Sequence, residues 1–270
     1  MSVNSYLENL SHELIIRDNE KENIKKSIEV IKSRLKSYFG NNIVETFCFG
    51  SYTRGTMLPR KVNENSDVDY MVVFSNSFLY APQTLLNKLR DFVRTYYSKS
   101  EIYQSNPTIV LELNHIKFEL VPAYSNNMYL WQENHYRIPA KASDYNDWID
   151  TCPDDINSRL TRLNVESNNK LKPAIRIIKY WNSLNNNVYS SYELESAILE
   201  NMHCYWRTSI QDYFTAITES LIYNFGTPSW KVDKISSLKK WYNHALKEEY
   251  IWRNYTQSNL YMENILPSIK

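Results

Sequence analysis

Two short apolar segments with a polar turn between them place the strongest constraint on how this chain folds. Residues 46–49 form the first segment, T-F-C-F, which ends at a G-S pair. Residues 70–74 form the second, Y-M-V-V-F, which directly follows the sequence S-D-V-D at 66–69. Short apolar runs bounded by turn residues predict buried β-strands. The stretch therefore predicts two strands, with a pair of acidic residues at the start of the second.

The acidic pair consists of Asp67 and Asp69. Side chains alternate along a strand, so both carboxylates are expected on one face while Val68 points into the core. Two neighbouring carboxylates repel each other unless a cation neutralises them, and Mg²⁺, often with nucleotide phosphates completing its shell, prefers such oxygen ligands. The alternative is an ordinary solvated strand end. The G-S pair at this spacing favours a site for a metal ion and a nucleoside triphosphate.

Gly50 and Ser51 form the second half of this predicted site. The chain contains four glycines, of which Gly50 and Gly55 are two. A chain so poor in glycine is expected to use it where the backbone turns sharply or approaches a ligand closely. At a strand-to-helix turn, backbone N–H groups and the Ser51 hydroxyl are suited to contact a phosphate.

Composition argues against several other classes of protein. The formal net charge is +1 and the pI is about 7.6, so the chain lacks the strongly basic surface that holds long duplex nucleic acid. Cys48, Cys152 and Cys204 have no metal-binding spacing and are expected to be reduced thiols. The first residues lack the features of a signal peptide, and no window has the apolar length of a membrane span. The sequence predicts a soluble, cytoplasmic protein.

The rest of the pattern predicts an α+β fold. Apolar residues at helical spacing predict a long N-terminal helix over 5–39, ended by Gly40, and another helix over 82–97. Residues 107–113 and 116–122 predict a β-hairpin, in whose second strand Lys117 and Glu119 share one face.

Residues 124–153 lack a clear period and predict a long, partly ordered connection that lines a cleft between two lobes. From Asp154 onwards the pattern is helical, and the last segment, 250–270, is expected to end loosely. We therefore divide the chain into domains at 1–150 and 151–270. The helices predicted after the connection cover 154–166, 205–223 and 234–249.

Two motifs in the helical half carry polar residues that invite a functional interpretation. Lys172, Arg176 and Lys179 fall at helical spacing on one face, for which a solvated helix surface is the ordinary explanation. Further along, the sequence S-Y-E-L-E at 191–195 begins another predicted helix. The structural interpretation of that motif is that Ser191 caps the helix and Tyr192 packs in the core.

Together these motifs resemble the nucleotidyltransferase core of the DNA polymerase beta superfamily. The resemblance rests on the G-S pair, the R-G-T turn at 54–56 and the S-D-x-D sequence before an apolar strand. It is strongest to the bacterial cyclic-oligonucleotide synthases of antiphage defence, relatives of animal cyclic GMP-AMP synthase and oligoadenylate synthetase. It extends from the N-terminal helix to about Glu195. It implies a bilobed enzyme with a mixed-sheet catalytic lobe, a helical C-terminal lobe and a long N-terminal helix behind both.

The resemblance also implies roles for individual residues. Asp67, Asp69 and a third carboxylate, from the strand that precedes V-P-A at 121–123, would hold two Mg²⁺ or Mn²⁺ ions. The matching residue is Glu119, where the family usually has Asp, so its longer side chain alters the placement of the second ion. The positions that contact the phosphates or stack on the base correspond here to Gly50, Ser51, Lys179, Ser191 and, for stacking, Tyr192.

The activity implied by the resemblance is template-independent nucleotidyl transfer. Nucleoside triphosphates would be joined into a short cyclic or linear oligonucleotide that signals to a companion effector protein. One alternative is a polymerase of linear (deoxy)nucleotide oligomers, primed by a protein hydroxyl such as Tyr250, Tyr255 or Tyr261. Another is a toxin-type nucleotidyltransferase that modifies tRNA or a protein. A degenerate scaffold or antitoxin is the non-enzymatic alternative, against which the intact acidic residues argue.

Overall fold

Every apolar segment predicted as a strand lies in one mixed β-sheet in the computed structural model of this chain. The structure describes residues 1–75, 80–105, 107–125, 135–140, 147–202, 206–222 and 226–269. Within them, the sheet has the order β1-β2-β5-β4-β3, with β6 paired to β5 and β7 to β6. The strands are β1 (Ile43–Phe49), β2 (Asp67–Phe74), β3 (Glu101–Ser105), β4 (Thr108–Leu113), β5 (Ile116–Ser125), β6 (Tyr136–Pro139) and β7 (Trp148–Thr151).

The pairing of β2 with β5 brings two distant parts of the chain together. These strands run parallel, whereas the other described strand pairs are antiparallel. The predicted hairpin is confirmed, because β4 and β5 pair from Leu113 and Ile116 outwards. The sequence therefore folds locally into the hairpin, while the β2–β5 pair requires a crossover connection.

The two faces of the sheet have different partners. On one face, Val68, Tyr70 and Phe118 pack in the main apolar core. Residues of two helices, α2 (Asp18–Phe39) and α4 (Pro82–Tyr96), belong to the same core. The opposite face carries a smaller apolar cluster at one end, and its members are Met71, Val73, Val121, Ala123 and Tyr136. Alternation along β2 and β5 places Asp67, Asp69, Lys117 and Glu119 on this second face, beyond the apolar cluster.

The prediction of a single helix over 5–39 is wrong at residues 14–17. The structure has two helices there, α1 (Val3–Glu13) and α2, which begins after an extended Arg17. The run R-D-N-E-K-E-N at 17–23 contains no apolar residue to continue the stripe of α1. Two of its acidic residues, Asp18 and Glu20, lie in the first turn of α2, where they complement the helix dipole. Gly40 ends α2 as predicted, with a positive φ of 55°.

Helices dominate the second half of the chain, as predicted. They are α5 (Pro153–Glu166), α6 (Leu171–Leu184), α7 (Ser191–Asn201), α8 (Ile210–Ser220), α9 (Ser229–Tyr250) and α10 (Tyr255–Ile265). Tyr205 and Tyr223, the predicted ends of the helix that α8 represents, lie outside the described residues. With its mixed sheet and helical C-terminal part, the α+β fold is confirmed.

The loosely ordered end predicted for 250–270 is wrong. Helix α10 occupies half of that segment, and the Ser258 hydroxyl donates to the carbonyl of Ala245 on α9 at 2.9 Å. Beyond α10, Leu266 is fully buried and its carbonyl accepts the hydroxyl of Tyr6. The segment is polar overall, but a few of its apolar residues are buried and anchor it.

The described parts of 124–153 are more ordered than the aperiodic sequence predicts. They include β6 and β7, which pair with each other. Residues 126–134, which include Trp131, and residues 141–146 lie outside the described part of the chain.

The chain forms two compact units. The sheet unit comprises Ile16–Arg60 and Asn65–Asn157, and the helical unit comprises Met1–Ile15, Lys61–Glu64 and Ser158–Lys270. The predicted domains, 1–150 and 151–270, stay a proposal. The compact units differ from them chiefly in that α1 groups with the C-terminal helices.

Two predictions from composition can be compared with the described residues. No helix among them combines the length and hydropathy needed to cross a membrane. Cys48 and Cys152 are free thiols, and burial raises the pKa of Cys48 to about 12. Cys204 lies outside the described residues.

A buried carboxylate at the start of α1 provides a test of the helical unit. Glu249 accepts the backbone N–H of Val3 at 2.6 Å and is 7% exposed. Glu249→Ala leaves that N–H unpaired, so we expect the free energy of unfolding to fall by about 2 kcal/mol. Chemical denaturation followed by circular dichroism measures this loss.

The neighbouring Glu248 is the matched control, because its side chain is partly exposed. Glu248→Ala is expected to change stability by no more than about 0.5 kcal/mol. Equal losses in the two variants would contradict the role assigned to the Glu249–Val3 hydrogen bond.

Candidate active site

The acidic pair lies at the start of β2, where the sequence predicts it. Asp67 and Asp69 are partly exposed, whereas Val68 and Tyr70 between and after them are buried in the core. The parallel register pairs Asp69 with Glu119 on the neighbouring strand β5. The prediction that the Glu119 strand lies beside the D-x-D strand is therefore confirmed. We call Asp67, Asp69 and Glu119 the acidic cluster.

Gly50 approaches the acidic cluster closely from β1. Phe49, the last residue of β1, pairs with Asp69, and Gly50 begins the short helix α3 (Gly50–Arg54) with a φ of 74°. A Cβ atom on Gly50 would lie 1.8 Å from Asp69 Oδ2. Only glycine fits this position, because any side chain would displace the carboxylate. The expectation that glycine marks a sharp turn is confirmed at Gly50, where the backbone also lies close to the Asp69 side chain.

Ser51 and Gly55 complete the turn that follows. Ser51 is 8% exposed, and its carbonyl accepts the N–H groups of Thr56 and Met57 at 3.0 and 3.1 Å. Gly55 ends α3 with a φ of 70°, and a Cβ atom there would meet nothing within 4 Å. Glycine is therefore required at position 50 by both the positive φ and the contact with Asp69. At position 55 it is required by the positive φ alone.

Lys117 lies between two members of the acidic cluster, and sequence reasoning gave it no role. Its Nζ atom is 3.4 Å from Asp67 Oδ2 and 3.3 Å from Glu119 Oε1. The exposed fractions of the Lys117, Asp67 and Glu119 side chains are 13%, 28% and 22%. The available signal was the K-x-E alternation on a strand, which puts both residues on one face. The contact with Asp67 also needs the β2–β5 register, which the sequence alone does not provide.

The acidic cluster carries more negative charge than Lys117 neutralises. Burial and the nearby Asp67 carboxylate raise the pKa of Glu119 to about 7, although the Lys117 ammonium acts in the opposite direction. Burial alone would lower the pKa of Lys117, but the Asp67 and Glu119 carboxylates outweigh it and raise that pKa. Without a further cation, Glu119 therefore keeps its proton for part of the time at neutral pH.

The cluster fits a divalent cation in the chemistry of its ligands. Carboxylate oxygens are the donors that Mg²⁺ prefers, and the Lys117 ammonium already occupies a bridging position between two of them. Among the residues that the structure describes, no three acidic, His or Cys side chains yet converge closely enough to form a metal site. The carboxylates of Asp67 and Glu119 therefore already share one cation, the Lys117 ammonium, and the described residues do not form a completed coordination shell.

Lys179 lies in the helical unit, where it forms a buried ion pair. Its Nζ atom is 2.8 Å from Glu195 Oε1, and the two side chains are 8% and 0% exposed. Burial lowers the pKa of Arg176, one turn before Lys179, to about 10. The interpretation of this helix face as a plain solvated surface is therefore wrong, because two of its three cations are largely buried.

Ser191 and Tyr192 begin α7 but do not have the structural roles that were the alternative. The N-cap is Ser190, whose hydroxyl accepts the N–H of Glu193 while the Glu193 carboxylate accepts the N–H of Ser190. Ser191 is exposed at the first helical position, and Tyr192 is 66% exposed. Capping by Ser191 and burial of Tyr192 are both wrong. The S-x-x-E spacing from Ser190 to Glu193 was the sequence signal for this cap.

Comparison with known proteins agrees with the fold. Residues 1–164 match the Second Messenger Oligonucleotide or Dinucleotide Synthetase domain, SMODS. A protein named "Probable cyclic nucleotide synthase" from Bacillus cereus (strain VD146) is 28% identical over 239 residues, which are 75% of this chain and 69% of that protein.

Solved structures of similar fold include two bacterial enzymes. Vibrio cholerae DncV, a cyclic AMP-GMP synthase, superposes with a TM-score of 0.75 over 99% of this chain and 98% of its own, at 11% identity. Escherichia coli MS115-1 CdnC, solved with ATP, gives a TM-score of 0.74 over 98% of both chains, at 13% identity. At these identities the structures show the fold alone.

Because the SMODS match covers more than half of the sequence, the chain belongs to the family of second messenger oligonucleotide or dinucleotide synthetases. It is therefore a nucleotidyltransferase, an enzyme that makes a nucleotide signal from smaller nucleotides.

The close approach of Gly50 to Asp69 generates a prediction about activity. Gly50→Ala places a Cβ atom where the Asp69 carboxylate lies, so the carboxylate must move. We expect nucleotidyl transfer to fall by about 100-fold, since displacements of about 1 Å have effects of that size. Initial rates of pyrophosphate release, measured on folded protein, test this expectation.

Gly55→Ala is the matched control, because Gly55 has a similar positive φ but open space around its Cβ position. Its expected effect is a stability loss of about 1 kcal/mol from the left-handed conformation, with activity retained. Equal losses of activity in both variants would show that backbone strain, and not the Asp69 contact, is responsible.

Proposed function

We propose that this enzyme joins nucleoside triphosphates into a short oligonucleotide signal, with the acidic cluster as its catalytic centre. The observation that carries the proposal is the pairing of Asp69 with Glu119 on adjacent parallel strands, beside a glycine that leaves room for the Asp69 carboxylate. A cyclic product is favoured because the Bacillus cereus relative and the structural neighbour Vibrio cholerae DncV are both named for cyclic nucleotides. A role in antiphage defence follows from the same resemblance.

Asp67, Asp69 and Glu119 would hold two Mg²⁺ or Mn²⁺ ions. When bound, such ions lower the pKa of an attacking hydroxyl and neutralise charge on the leaving pyrophosphate. In the reaction, a nucleotide hydroxyl oxygen forms a bond to the α-phosphorus of a triphosphate, and the bond between that phosphorus and the β-phosphate oxygen breaks. The residues of the acidic cluster orient these groups, since positioning and charge neutralisation are most of what phosphoryl transfer requires.

The nucleotide itself would be held by the residues that the family resemblance implies. Gly50 and Ser51 would contact the phosphates through the turn that begins α3. Lys179 and Ser191 would contribute an ammonium and a hydroxyl to the triphosphate. An ammonium has three N–H donors, so the bond from Lys179 to Glu195 leaves donors for a phosphate oxygen. Tyr192, whose ring is 66% exposed, would stack on the base.

The protein-primed alternative receives less support from the described tail. The Tyr250 hydroxyl accepts a hydrogen bond from Gln211 at 2.8 Å, and the Tyr261 ring packs against Trp241 and His244. A primer hydroxyl has to reach the catalytic centre, whereas these two side chains have partners of their own. Linear products, protein-linked products and modified tRNA remain outcomes that the product assay distinguishes.

The proposal extends to location and partners. Nucleoside triphosphates are the substrates, and a companion effector that recognises the product completes the signalling pathway. One structural neighbour, Escherichia coli MS115-1 CdnC, was solved in a complex with a HORMA protein lacking its N-terminal part. We infer a cytoplasmic location for this enzyme, where its substrates are available.

Identification of the product tests the proposed function directly. The purified chain is incubated with Mg²⁺ or Mn²⁺ and each labelled ribo- and deoxynucleoside triphosphate, and products are separated by denaturing gel and mass spectrometry. We expect a small phosphatase-resistant product, which the double variant Asp67→Asn/Asp69→Asn does not form, because amides bind divalent cations more weakly than carboxylates do.

The controls separate the alternatives. Circular dichroism verifies that the double variant is folded. A phosphatase-sensitive ladder would contradict a cyclic product, and label on the protein would indicate priming by a side chain. Product formation by the double variant at the wild-type rate would contradict the assignment of the acidic cluster.

The phosphate role of Lys179 has its own test. Lys179→Met removes the ammonium, and we expect the apparent affinity for the triphosphate to fall by about tenfold, the value of a charge-assisted hydrogen bond. The same change leaves Glu195 buried without its cation, which is expected to lower stability by about 3 kcal/mol. Nucleotide titration and thermal denaturation measure the two effects.

The double variant Lys179→Met/Glu195→Gln separates binding from stability. It removes both charges, so most of the lost stability is expected to return while the nucleotide affinity stays low. Recovery of the affinity together with the stability would show that Lys179 acts only in the helical core.

A further inference from the structure

We propose that Lys117 is a resident counter-ion of the acidic cluster, which holds Asp67 and Glu119 together in the metal-free enzyme and transfers to Glu112 when a divalent cation binds. This makes Lys117 a positioning residue that competes with the metal for two of its ligands. The inference rests on the proposed function, because it assumes that the acidic cluster is the metal site.

The Lys117 ammonium lies between two of the proposed metal ligands. It contacts Asp67 Oδ2 at 3.4 Å and Glu119 Oε1 at 3.3 Å, and these oxygens belong to two of the proposed metal ligands. The Lys117 side chain is only 13% exposed, so it is held at the cluster and does not extend into solvent as a surface lysine would. In the absence of metal, it reduces the repulsion between two carboxylates on neighbouring strands.

The Lys117 ammonium and a divalent cation exclude each other from the same carboxylate oxygens. A divalent cation that bound the same carboxylate oxygens would lie within a few ångströms of the ammonium, and like charges at that distance repel strongly in a partly buried site. Lys117 must therefore move when the metal binds. Its four-methylene stem allows that movement without a change in the backbone.

A second acceptor for the Lys117 ammonium lies within its reach. Lys117 on β5 pairs in register with Glu112 on β4, so both side chains lie on the same face of the sheet. Opposite residues in an antiparallel pair have Cβ atoms about 4.5–5.5 Å apart. Glu112 is held in place by the Tyr103 hydroxyl at 3.3 Å and by Arg60 at 3.8 Å. A row of side chains across three strands thus gives Lys117 acidic neighbours on both sides, Asp67 and Glu112.

Competition between Lys117 and the metal has two opposite effects on metal binding. The carboxylates stay together in the metal-free enzyme, so the first metal ion meets a site whose ligands are already close. Binding must also displace the ammonium, which lowers the affinity of the site for a free ion. Lys117 therefore both preorganises the cluster and lowers its affinity for free metal ions.

Metal titration of the full chain tests this inference without any measurement of activity. Mn²⁺ is added to metal-free protein, and electron paramagnetic resonance measures the free ion. We expect Lys117→Met to bind Mn²⁺ about tenfold more tightly than the wild type, which is the lower end of the effects of groups that contact metal-ligating carboxylates. In metal-free buffer the same variant is expected to have a lower Tm, which Mn²⁺ restores.

Two further variants define the mechanism. Glu112→Gln removes the second acceptor, so Mn²⁺ binding is expected to weaken several-fold. That effect is expected to disappear in the double variant Lys117→Met/Glu112→Gln, because no ammonium remains to be relocated. Lys88→Met is the matched control, since its ammonium lies over the Tyr80 ring at 4.1 Å, and its Mn²⁺ affinity is expected to equal that of the wild type.

The outcomes distinguish this inference from the proposed function. Wild-type protein that binds no Mn²⁺ would overturn both. Wild-type binding with an unchanged or weaker affinity in Lys117→Met would overturn the competition and leave the proposed function intact. If Lys117→Met does not fold in metal-free buffer, Lys117→Gln provides the same comparison, and an affinity equal to that of the wild type overturns the inference.

Discussion

Repulsion among carboxylates on two parallel strands is the constraint on which the site depends. The β2–β5 register places Asp69 beside Glu119 and Asp67 beside Lys117. The strands are held there by the apolar core on the other face, where Val68 and Phe118 are fully buried. Packing on one face therefore supplies the free energy that keeps like charges together on the other, and the Lys117 ammonium reduces the amount required.

Packing around Gly50 also positions a carboxylate, here opposite the end of strand β1. Because β1 pairs with β2, the end of β1 arrives opposite Asp69, and the absence of a side chain at Gly50 leaves room for the carboxylate. A chain with four glycines places one of them at the point where the backbone meets the Asp69 carboxylate. The turn and the carboxylate are thus parts of one packing arrangement.

Much of the fold and part of the site could be predicted from the sequence, because they depend on local patterns. Short apolar runs located β1 and β2, and alternation placed Asp67 and Asp69 on one face. The contact between Lys117 and Asp67 could not be predicted, since it depends on which strands are neighbours. The same is true of the ion pair between Lys179 and Glu195, which joins two helices.

Two other errors had signals in the sequence that were outweighed by a broader pattern. The polar run at 17–23 marks the break between α1 and α2, but apolar residues on both sides suggested one continuous helix. The spacing from Ser190 to Glu193 identifies the cap of α7, but the resemblance directed attention to Ser191 one position later. Because of that cap, the start of the helix and the proposed nucleotide contacts depend on different residues. Since Ser190 and Glu193 maintain the start of the helix, exchanges at positions 191 and 192 leave the cap intact, and the nucleotide contacts proposed for these positions can be altered without a compensating change in the scaffold.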